Sequence, residues 1–159
     1  MKSATVNELR KELKDSDPDV VRELCLRLIK YKKENKELAT YALFEAHDEN
    51  AYVKSVTNEI EELFKDIPRG GNAYYIKKTL RKILRFANRQ VKYSGNKISE
   101  LEIRIFFCEQ MNEARTPKNP GTVIGNIYDQ QLKKITTIFD SIEEDLQADY
   151  TTQVERLLR

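Results

Sequence analysis

The sequence predicts an all-α protein, and three observations carry that expectation. Gly and Pro together supply only nine of 159 residues, too few for a turn-rich β architecture. They gather mainly at two breaks, "IPRGGN" and "TPKNPG". Between the breaks, apolar residues recur three and four apart, the spacing of one helix face. The chain has the length of one domain, and its 40% apolar and 34% charged residues are too apolar for a disordered segment. No run approaches the ~18 apolar residues of a membrane span. "MKSATVNELRKEL" lacks the apolar block of a signal peptide, so the expected setting is the cytoplasm.

Each element has its own signals. Thr5 and Glu8 form a capping box for a first helix, with Leu9 and Leu13 facing inward. Asp17 followed by Pro18 starts a second, carrying Val21, Leu24, Cys25 and Leu28. A third holds Leu38, Tyr41, Ala42 and Phe44. The fourth shows Tyr52, Val53, Val56, Ile60, Leu63, Phe64 and Ile67 in a regular three-and-four pattern. Asn72 caps the fifth, which begins at "YYIKKTLRKILRFANRQVKY". Ser99 and Glu102 read as a capping box for the sixth, "ELEIRIFFCEQM", with Ile98 and Ile103 as its hydrophobic staple. The last element starts near Pro120 or just after Gly125, and beyond Gly125 no Gly or Pro occurs to the C-terminus. That predicts one helix of about 34 residues and about 50 Å, either the spine of the fold or a projection from it.

Short loops make consecutive helices antiparallel neighbours. The expectation is one domain over 1–159 of six or seven helices, in a bundle or a compact right-handed array of the HEAT or armadillo kind. "IKYKKENKEL" and "VKYSGNKISEL" echo each other at two helix junctions, consistent with a weak duplication of 17–67 and 72–159.

Catalytic chemistry finds no foothold. Cys25 and Cys108 lie in apolar helical stretches without metal-ligand spacing, and are expected to be buried, reduced thiols. His47 is the single histidine, and Glu45, Asp48 and Glu49 around it belong to a helix end and the next helix start. No second histidine completes a metal set. "RGGN" at Arg69–Asn72 precedes a helix, as an anion site would, but no strand leads into it and it reads as a linker. Glu143 and Glu144 lie on an acidic helix side with no apolar pocket in view. Nucleophile and P-loop motifs are absent. No enzyme activity, cofactor or metal is expected.

The fifth helix is the distinctive element. On a helical wheel Lys77, Lys78, Arg81, Lys82, Arg85, Arg89 and Lys92 fall within about 140°. Ile76, Leu80, Ile83, Leu84, Ala87 and Val91 take the opposite side, and Tyr75, Phe86 and Tyr93 line a border. Nine of the 28 bases lie between Ile67 and Ser99 with no acid, leaving 19 bases against all 26 acids elsewhere, a net of −7. The overall +2 therefore hides a cationic element on an acidic body.

Such a face would dock an acidic protein partner, the leading expectation. The alternative is non-specific binding of RNA or single-stranded DNA, with Tyr74, Tyr75 and Tyr93 stacking on bases. The same face is also what solubility alone asks of an exposed helix. A membrane role is not expected, because the apolar side is needed for the core. The aromatics separate the two binding readings. Tyrosines buried under neighbouring helices favour protein, whereas two or more exposed beside the cations favour nucleic acid. Both readings fail if "FDSIEEDLQAD" (Phe139–Asp149), with five acids and no base, covers the basic face. The long last helix would also serve a homo-oligomer.

"LIKYKKENKELATYALFEA" and "KKTLRKILRFANRQVKYS" resemble an uncharacterised family of small all-α bacterial proteins. The resemblance implies a helical, intracellular protein and carries no activity or site residue over to this chain.

Overall fold

The computed structural model describes residues 2–68 and 70–159. The part of the expectations that drew on Arg69 lies outside them. Among the described residues there are eight α-helices, one π-helical turn and no strand, one or two α-helices beyond the expected count. The chain divides into two units, Met1–Phe44 and Glu45–Arg159.

The first unit holds α1 (Val6–Asp15), α2 (Pro18–Tyr31) and α3 (Lys33–Thr40). Thr5 and Glu8 close the expected capping box on α1, and the Glu8 carboxyl is held below its usual range chiefly by the Thr5 backbone amide. Asp17 accepts from the Asp19 amide at 2.8 Å, with Pro18 in the first turn of α2. Only the single residue Lys32, which gives no side-chain cap, separates α2 from α3. There Asn35 donates its side-chain amide to the Leu28 carbonyl at 2.7 Å. A π-helical turn, Tyr41–Glu45, runs on from α3 across the boundary of the units.

No residue of α1, α2 or α3 is buried. Leu9, Leu13, Leu24 and Leu28 keep 51, 43, 41 and 49% of their surface exposed, and Cys25 is exposed as well. The expected inward positions are therefore not core. Within this unit the main packing is of α2 on α3, and two helices of 14 and 8 residues bury little surface between them.

The second unit comprises α4 (Glu49–Lys65), α5 (Ala73–Ser94), α6 (Lys97–Glu113), α7 (Val123–Phe139) and α8 (Glu144–Leu158). Its axis is α6, which packs against α4, α5, α7 and α8. Leu101, Ile103, Phe107, Cys108 and Met111 on α6 are essentially inaccessible. Around them lie Ile60 and Phe64 of α4, Leu80 and Ile83 of α5, Ile135 of α7, and Val154 and Leu157 of α8. Each such side chain contributes about 1.5–3 kcal/mol of burial. Phe64 and Phe107 meet edge to face, centroids 5.5 Å apart. Of the pattern predicted for the fourth helix, Tyr52, Val53, Val56, Ile60, Phe64 and Ile67 are buried, whereas Leu63 is only half-buried.

One buried charge ties three helices. Arg104 of α6 is 5% exposed. Its guanidinium donates to Glu100 at 2.7 Å, to Asn88 of α5 at 3.2 Å and to Gln131 of α7 at 2.6 Å. Removing one of these partners would leave the buried guanidinium under-compensated, which is costly.

Two element expectations need correction. The start of α6 is Asn96, whose side-chain oxygen accepts from the Ile98 and Ser99 amides at 2.8 and 3.2 Å. Ser99 is buried one turn in, and its hydroxyl donates to Glu49 at 2.5 Å, while Glu102 accepts from Tyr150. Gly95, at φ 63°, ends α5 in the left-handed conformation that glycine adopts without strain. Asn96 can therefore cap the next helix at once.

The C-terminal stretch is two helices, α7 and α8, and not one long one. The chain turns at Asp140–Glu143, where the Ser141 hydroxyl donates to the Ile138 carbonyl at 2.8 Å. The Gln147 side chain then reaches back to the Phe139 and Ile142 carbonyls at 2.9 and 3.1 Å. At the other end of α7, Gly125 admits a close backbone approach, since a Cβ there would meet the Asn119 carbonyl oxygen at 2.3 Å.

Candidate functional site

α5 begins where Asn72 accepts from the Tyr74 amide at 2.9 Å and runs 22 residues. Ile76, Leu80, Ile83, Ala87 and Val91 are its buried stripe, and the same period sends the cations to the other side. Lys78, Arg81, Lys82, Arg85 and Lys92 are exposed, while Lys77 and Arg89 are half-buried. From Lys78 to Lys92 the row extends about 21 Å along the axis. Among the described residues, none of the five exposed cations forms an ion pair.

The acidic C-terminal helix is engaged elsewhere. α8 carries Glu144, Asp145 and Asp149 and packs against α6 and α7.

The aromatic candidates separate into two groups. Tyr74 and Tyr75 are 57 and 59% exposed. Their rings lie edge to face, centroids 5.5 Å apart and planes at 82°. Lys77 Nζ stands 5.4 Å from the Tyr74 centroid, within cation–π range. Tyr74 also lies four residues before Lys78 and seven before Arg81, so it continues the cationic row by one turn. Tyr93, by contrast, is half-buried. Phe86 is half-buried too, so the expected border is aromatic but only its N-terminal end is freely accessible.

Groups with displaced proton affinities lie away from this face. A cleft of about 360 Å³ between α4, α6 and α8 is lined by Glu102, Phe106, Glu109 and Tyr150, among others. Burial raises the Glu109 carboxyl, with Arg156 opposing. Burial and the 2.5 Å bond to Glu102 raise the Tyr150 hydroxyl. Glu102 and Glu109 are two turns apart on one helix, about 10.5 Å along the axis. Near His47, Asp48 caps α4 by accepting from the Ala51 amide at 3.0 Å. Among the described residues no three His, Cys, Asp or Glu side chains gather as a metal site, and no helix is long and apolar enough to cross a membrane.

Comparison with known proteins finds no matching family model, curated protein or solved structure.

Proposed function

We propose that the protein is a non-enzymatic, cytoplasmic helical module that docks a polyanionic partner on the basic face of α5. The observation that carries this is the row Lys78, Arg81, Lys82, Arg85 and Lys92, exposed together and unpaired with acids among the described residues. A surface serving solubility alone gains from interspersed charges of both signs, whereas this face has one sign along its length. On an otherwise acidic body, a continuous cationic row concentrates field and steers an anionic chain onto it.

The test is fluorescence anisotropy of labelled polyanions, heparin and a 12-nucleotide single strand, across a salt series. Binding is expected at low salt, with log K falling against log salt at a slope of about −3 to −4 for five strand phosphates neutralised. Lys78→Glu, Arg81→Glu and Arg85→Glu together should abolish it without changing the circular dichroism. Absence of binding to every polyanion at low salt would sink the reading.

A further inference from the structure

We infer that the polyanion is a single-stranded nucleic acid, with bases stacked on the Tyr74–Tyr75 pair and phosphates along Lys78–Lys92. This rests on the docking reading above and names its partner. An acidic protein segment would be held by the cations alone and gives no role to two tyrosines left more than half exposed. A single strand asks for both parts: a cationic track for the backbone and aromatic faces for unstacked bases. α5 supplies them in one row, with Tyr74 one turn before Lys78. A duplex would satisfy the cations but keep its bases stacked inside, out of reach of the rings.

The local geometry is already arranged for stacking. The 82° edge-to-face packing holds the two rings in different planes, so they offer faces in two directions. Lys77 Nζ stands over the Tyr74 ring, 5.4 Å from its centroid, so a base stacking on that face displaces the ammonium, which is then free to meet the adjoining phosphate. The Asn72 bond to the Tyr74 amide fixes the backbone from which both rings project. No sequence preference is implied, because every base has a face and no side chain here is poised to read an edge.

The experiment compares three probes of similar charge: a dT 12-mer, an abasic 12-mer with the same phosphates, and polyglutamate. Each is titrated against the wild type, Tyr74→Ala/Tyr75→Ala and Tyr74→Phe/Tyr75→Phe. Both tyrosines are exposed, so thermal melts should be unchanged. The expected result is dT 12-mer bound about tenfold or more tighter than either other probe. The alanine pair should lose that preference, the phenylalanine pair should keep it, and abasic binding should not change. If all three probes bind alike and the tyrosine variants change nothing, the nucleic-acid assignment is overturned while polyanion docking stands, leaving an acidic protein as partner. If no probe binds at low salt, both proposals fall.

Discussion

Cys25 and Cys108 stand in similar surroundings along the chain, "RELCLRLIK" and "RIFFCEQM". In space they differ completely. Cys108 is inaccessible on the central helix, and burial pushes its thiol up to about 12. Cys25 is exposed. Periodicity reports which side of a helix is apolar, not whether anything covers it, so this difference could not be read beforehand. Thiol titration at pH 8 should therefore find one rapidly reacting cysteine per native chain and a second only in denaturant. Two fast equivalents would show that α6 is not the buried axis. The pH consequence has a definite sign. A thiol raised on folding contributes stability in full below its ordinary value of 9.0, and that contribution is lost as pH rises towards about 12. Cys108→Val, which cannot ionise, should lose less stability than wild type over that alkaline window in urea unfolding.

At the scale of elements, helix starts were largely legible because side-chain caps are local chemistry. Thr5, Asp17 and Asn72 all cap the helices expected of them. The two failures differ in cause: at α6 a long-range partner outbids the local one, whereas the turn between α7 and α8 is closed by local bonds. Ser99 fits a capping box, yet its hydroxyl goes to Glu49, fifty residues away, and Asn96 caps instead. The turn between α7 and α8 uses neither Gly nor Pro. Its signal was present in the cap-type Asp140 and Ser141 and in the acids Glu143, Glu144 and Asp145, which favour a helix N-terminus. The candidate face was legible for the same local reason, since its charge segregation follows from spacing alone. Exposure of Tyr74 and Tyr75 but not Tyr93 required the packed neighbours of α5. The capping assignment is checked by Asn96→Ala, which should cost about 1 kcal/mol in urea unfolding. Glu102→Ala should show no capping loss, only the effect of freeing the Tyr150 hydroxyl. A larger loss at Glu102 accompanied by fraying of α6 would restore the rejected cap.

For the molecule as a whole, the contrast lies between an apolar pattern and an apolar core. α2 and α4 are both patterned at helical spacing, but α4 buries Tyr52, Val53, Val56, Ile60 and Phe64 while α2 buries nothing. Local opening is governed by what is buried. A helix without buried side chains opens at small free-energy cost, whereas α6 opens only when its unit unfolds. Global unfolding of an ordinary domain costs about 5 kcal/mol or more, so the α6 core amides should exchange at least about a thousandfold more slowly than those of α1 and α2. Hydrogen–deuterium exchange at two protein concentrations checks this. Uniform protection across both units would overturn it, because the leucines of α1 and α2 would then have to be covered in solution. Protection of α1 and α2 that grows with concentration would identify a second copy as the cover. Fast exchange at both concentrations would leave Glu45–Arg159 as the stable scaffold that holds the basic face of α5.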